Sequence, residues 1–113
     1  VLINVGFNGL ETSLGELDHI LLDAGFVRWA WDYEHATYDY KLEDRATKAT
    51  FYLRVQAHVV KGDSLDHDTI LKLEEPYIGK HLFPHGIDYQ AVVPSSISEA
   101  AKKKLNSVKD KLK

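Results

Sequence analysis

The chain has 113 residues, 44% of them hydrophobic and 27% charged, with a formal net charge of -3. That is material for one core, and the composition excludes a disordered tail, a collagen and a coiled coil. No apolar run nears the roughly 20 residues that span a bilayer, no signal-peptide pattern opens the chain, and the acidic balance argues against a nucleic-acid partner.

Residues 1–7 are apolar and β-branched, which predicts a strand, with Asn8-Gly9 as the turn after it. Ser13 and Glu16 stand at capping-box spacing ahead of Leu14, Leu17, Leu21 and Ala24, and Gly25 follows as a left-handed stop. The spacing predicts an amphipathic helix over 13–24. Three strands are predicted next, over 26–34, 36–42 and 50–60. The third has the cleanest alternation, with Phe51, Leu53, Val55, Ala57 and Val59 facing one way and Tyr52, Arg54, Gln56 and His58 the other.

Residues 61–68 form a polar connection. A short strand is expected over 69–74, then a long loop over 75–86 punctuated by Pro76, Gly79, Pro84 and Gly86, and a last strand over 87–93. A second capping box, Ser96 to Glu99, opens a helix over 96–112 with Ile97, Ala101, Leu105, Val108 and Leu112 on one stripe.

The order β-α-β-β-β-β-β-α has no crossover helices, so the strands should form one antiparallel sheet. Both helices then need the same face to cover their stripes. The expected fold class is α+β, in the TBP-like or helix-grip style, as a single domain spanning residues 1–113. An opening Val1 in a chain without methionine suggests a trimmed product. Cysteine is absent, so no disulfide or thiolate metal site is available, and a reducing, cytoplasmic setting is expected.

Charge is uneven. Residues 1–94 carry 8 basic and 15 acidic side chains, whereas residues 95–113 carry 6 lysines and 2 acids. Lysines near a helix C-terminus suit the macrodipole, so this tail is read as a solvated helix face.

Trp29, Trp31, Tyr33, Tyr38, Tyr40 and Tyr52 crowd into 24 positions. Such rings are core material, or an uncovered sheet face that pairs with a second subunit. They are the candidate interface. Arg54, Gln56 and His58 form a polar row with Asp39 and Lys41 facing them, either as a satisfied exposed face or as a ligand cleft. The 79–86 loop brings His81 and His85, and is expected to fold back over the sheet, burying Leu82 and Phe83. Arg54, His58, His81 and His85 are the candidate cleft residues. No metal or cofactor is expected. Pro84 breaks the helical spacing between the two histidines, and the acidic run around His67 lacks the calcium-loop pattern. P-loop, dinucleotide and nucleophile-elbow motifs are absent.

Four segments together resemble the YugN-like family of small bacterial proteins. They are Trp31-Asp32-Tyr33-Glu34, Thr37-Tyr38-Asp39-Tyr40-Lys41, Phe51-Tyr52-Leu53-Arg54-Val55-Gln56, and Gly79-Lys80-His81 with Pro84-His85-Gly86. The resemblance implies a single intracellular α+β domain without an assigned activity, and carries over no catalytic residue. The expected function is a non-enzymatic binding module that forms a homodimer. The alternative is a small-molecule binder or simple enzyme using the His/Arg cleft.

Overall fold

The computed structural model describes residues 2–31, 34–62, 68–82 and 86–112, with side chains for all of these except 29–31. Its elements in chain order are β1 (Glu11–Ser13), α1 (Leu14–Asp23), β2 (Val27–Trp31), β3 (His35–Glu43), β4 (Thr50–Lys61), β5 (Ile70–Leu73), β6 (Tyr77–His81), β7 (Ile87–Asp88) and α2 (Ser95–Lys111). All strand pairings are antiparallel, in the order β1-β5-β4-β3-β2. The long β4 carries β3 on one side along its length. Its other side is shared, with β6 on the first half and β5 on the second. β7 pairs outside β6.

The alternation of β4 is realised. Phe51, Leu53, Val55 and Ala57 are buried, and across the ladder they meet Leu42, Tyr40, Tyr38 and Ala36. This face is covered by the two helices. Leu14, Leu17, Ile20 and Leu21 from α1, with Ile97, Ala101, Leu105 and Val108 from α2, join it in one core. The α+β class with both helices on one face of an antiparallel sheet therefore holds. Ser13 caps α1 by accepting from the Glu16 backbone N–H at 3.2 Å, and Gly25 ends the turn at φ +97°. Among the described residues, no helix is long and apolar enough to cross a membrane.

Several expectations fail for identifiable reasons. Residues 2–7 form no strand. Leu2 makes an isolated bridge to Tyr77, Gly6 turns the chain at φ +82°, and Ile3 and Phe7 are buried as core filler beside the sheet. The first strand is instead Glu11–Ser13. The Ser96 box is not used, because α2 starts at Ser95 behind Pro94, and the cap makes no side-chain hydrogen bond.

The 75–86 loop contains the strand β6, while the last strand shrinks to Ile87–Asp88. Gly79, read as loop punctuation, is a packing glycine. A Cβ there would stand 2.2 Å from Ile87 Cγ2. Leu82 does not bury; it is 43% exposed. A bulge between Arg28 and Ala30 interrupts the regular alternation of β2. Val27 sits opposite Asp39 and Trp31 opposite Ala36, which are register positions of opposite faces.

Candidate functional site

Among the described residues, no helix lies on the second face of the sheet. Register puts His35, Thr37, Asp39 and Lys41 of β3 on it, opposite His58, Gln56, Arg54 and Tyr52 of β4. Beyond β4 come Tyr77 and Gly79 of β6, opposite Arg54 and Tyr52. On the second half of β4, Lys72 lies opposite His58.

At the centre of this face Asp39 receives two hydrogen bonds from Arg54, from Nε and Nη2, both at 2.8 Å. The Arg54 and Asp39 side chains are only 13% and 8% exposed, so the pair is held largely out of water. Arg54 Nη1 donates to the Tyr89 hydroxyl at 3.1 Å, tying the residue after β7 onto the face. Next to it Tyr77 donates its hydroxyl to Gln56 Oε1 at 3.1 Å, and Gln56 Nε2 donates to Thr37 Oγ1 at 3.3 Å. Tyr77 and Tyr89 pack edge to face with centroids 5.2 Å apart. Among the described residues, no buried side-chain nitrogen or oxygen lacks a partner.

The electrostatics follow from this geometry. The hydrogen bonds to Asp39 hold the Arg54 guanidinium above its ordinary range. Burial pushes the Tyr77 phenol up. On the helix-covered side, burial raises Tyr38, whose hydroxyl donates to Asp18 Oδ1 at 3.2 Å. Each perturbed group is driven away from neutral pH and keeps its proton. Groups that carry acid–base chemistry are shifted the other way, toward neutrality.

The three described candidate cleft residues, Arg54, His58 and His81, are spread along the sheet. His58 lies four positions beyond Arg54 on β4, about 13 Å along an extended strand. Its Nδ1 stands 3.4 Å from Glu74 Oε2. His81 lies past the opposite end, one position beyond the Phe51–Lys80 pair, with its ring edge-on to Tyr52 at 6.0 Å. It thus touches the row that holds Arg54 and His58, but not those two residues. His85 lies outside the described residues, as does His67. Among the described residues no three His, Asp or Glu side chains converge.

The candidate interface is divided in the same way. Tyr38 is fully buried under α1, and Tyr40 is half-buried against Phe26 with Lys104 Nζ 4.6 Å above its ring. Neither belongs to an open face. Tyr52 alone of the described members is on the uncovered side. Tyr33 and the side chains of Trp29 and Trp31 lie outside the described residues. Tyr77 and Tyr89 complete the face; Tyr77 falls in the stretch expected to be a loop, and Tyr89 follows β7, which is shorter than the expected 87–93 strand. The apolar Tyr77-Ile78 pair after Pro76 was the available signal.

A bent antiparallel sheet with two helices on one face and an ordered polar network on the other defines a two-layer α+β domain. The chain belongs to the YugN-like family, whose model it matches over residues 2–111. It is 38% identical over 85 residues to the uncharacterized protein YlbA of Bacillus subtilis (strain 168), a match covering 74% of this chain and 69% of that one. It is 26% identical to the uncharacterized protein YugN of the same organism, over 74% of this chain and 62% of YugN, less than two thirds of that relative's length. The crystal structure of the uncharacterized conserved protein YugN from Geobacillus kaustophilus HTA426 superposes with a TM-score of 0.81 at 37% identity. That superposition covers 96% of this chain and 91% of the other.

Proposed function

We propose that this chain is a non-catalytic binding module that self-associates through its helix-free sheet face. The observation that carries this reading is the hydrogen-bonded network centred on the largely desolvated Asp39–Arg54 pair, rimmed by Tyr52, Tyr77 and Tyr89. The network around Asp39 holds Arg54, Tyr89, Tyr77, Gln56 and Thr37 in place through side-chain hydrogen bonds. Its rim suits a protein partner. Tyr52 and Tyr77 are half-buried, Tyr89 is 40% exposed, and Val27 beside Asp39 is 63% exposed. Tyrosines around a desolvated centre are typical of association surfaces. The spread of Arg54, His58 and His81 along the sheet favours a broad contact over a small-molecule cleft. A cysteine-free composition supports a reducing, cytoplasmic setting.

Sedimentation and light scattering test the proposal. A dimer is expected at micromolar concentration, with an interface above about 1,000 Å². Replacing Tyr52 and Tyr89 together by Ala should return it to monomer without unfolding it. A monomer throughout, or a dimer indifferent to both changes, would refute the reading.

A further inference from the structure

The geometry points to a second docking surface, remote from the open face: the edge of β3 beside α2 that no described strand pairs, which takes an extended acidic peptide segment as an added strand. β2 covers β3 only as far as the Val27–Asp39 pair. β3 itself runs on to Glu43. The direction of its backbone groups there is set by the ladder. Val59 N–H donates to Glu34 C=O at 2.8 Å, and the β3–β4 register then continues without a shift. Even-numbered positions of β3 therefore turn their N–H and C=O groups toward β4, and odd-numbered ones turn away from it. Lys41 and Glu43 thus aim theirs at the edge that β2 has already left. The segment leading into β2 does not continue the ladder: Gly25 N–H and Phe26 N–H donate to the Leu22 and Leu21 carbonyls of α1.

Next to that edge lies a groove of about 310 Å³ lined by Tyr40, Leu42, Ala100, Lys103, Lys104 and Ser107. Its floor is apolar and its helical wall is basic. Lys104 is fixed there, donating to Ala24 C=O at 3.0 Å over the Tyr40 ring, and Lys103 is exposed. The neighbouring acids are already engaged. Glu43 pairs with Lys41 at 3.1 Å on the other side of the sheet, and Asp44 accepts from Thr47 Oγ1 at 2.7 Å and from Ala46 N–H at 3.2 Å.

A strand laid along Lys41–Glu43 would pair their edge-facing backbone groups and direct alternate side chains into the groove. A glutamate there can lay its stem over Leu42 and Ala100 and bring its carboxylate to Lys103. A second copy of this chain is the poorer occupant. Two-fold pairing of this edge would bring two basic α2 walls together.

The test uses a fluorescein-labelled hexapeptide alternating valine and glutamate, with the valine–lysine hexapeptide as control, titrated into the full chain. The glutamate probe should bind and the lysine probe should not. Amide shifts should gather at residues 40–45 and 96–107, and the Lys41 and Glu43 amides should gain protection from hydrogen exchange. Lys103→Glu, on an exposed helix position, should weaken binding about five-fold or more. Equal binding of both peptides, no binding at millimolar peptide, or shifts confined to Arg54 and its neighbours would overturn the proposal. So would edge amides already protected in the free protein in a concentration-dependent way, which would identify the occupant as a second copy.

Discussion

Asp39 and Arg54 face each other across the β3–β4 ladder in a two-pronged ion pair, both bonds at 2.8 Å, on a sheet face without a helix. Removing one member leaves the other partly buried without its counter-charge, which costs more than the intact pair contributes. Asp39→Ala should therefore lose about 3 kcal/mol in urea unfolding. Arg54→Leu in the same background should restore part of it. If the single change costs no more than an ordinary surface substitution, roughly 0.5 kcal/mol, the pair is not desolvated as described.

Gly79 gives a second prediction. Any Cβ there meets Ile87 Cγ2 at 2.2 Å and Tyr89 Cδ1 at 2.8 Å. Gly79→Ala should push Tyr89 off Arg54 and destabilise the chain by about 1–3 kcal/mol through overpacking. Tyrosine ring shifts in NMR spectra would report the displacement. Unchanged rings with unchanged stability would show that β7 yields without cost.

Leu105 is fully buried in α2. Leu105→Ala should cost about 2–5 kcal/mol, the range for deleting a buried leucine side chain. Thermal unfolding by circular dichroism is sufficient to measure it. A negligible loss would mean that α2 is not held on the sheet by its stripe.

The raised phenols of Tyr38 and Tyr77 set an alkaline limit. Each binds its proton more tightly in the folded chain than in the unfolded one, where a phenol ionises near pH 10. The stability they contribute is fully present below about pH 10 and is lost as the pH climbs past it, because the unfolded state releases those protons first. The urea midpoint should hold steady to about pH 9 and then fall. Tyr38→Phe should flatten that fall. An equally steep decline in this variant would assign the limit to other groups.

The parts of this fold that are legible in the sequence are those where one residue type has one use. Leu17, Leu21, Leu105 and Val108 recur at helical spacing because a helix stripe needs them there. The alternation of β4 also survives, and with it the opposition of Asp39 to Arg54. Glycine and proline are less legible because each has several uses. Gly79 is small so that Ile87 and Tyr89 can pack on it, yet beside Pro76 and Pro84 it mimics a turn. That substitution of meanings concealed β6, and with it Tyr77. The aromatic run misled for a related reason. A bulge at Arg28/Ala30 resets the pleat, and a bulge leaves no mark in the order of side-chain types.

β4 is the strand on which three others depend, since β5 and β6 share the flank that β3 leaves free. β3 and β4 are separated by only residues 44–49, so their pairing closes a short loop, whereas β1 and the helices must find partners far along the chain. Folding then has a built-in order of events. The β3–β4 hairpin is expected to form first, so substitutions at Leu53 or Val55 should slow folding in stopped-flow measurements. Changes in α2 should then leave the folding rate nearly untouched and act by hastening unfolding; an equal slowing of folding by Leu105→Ala would overturn this order.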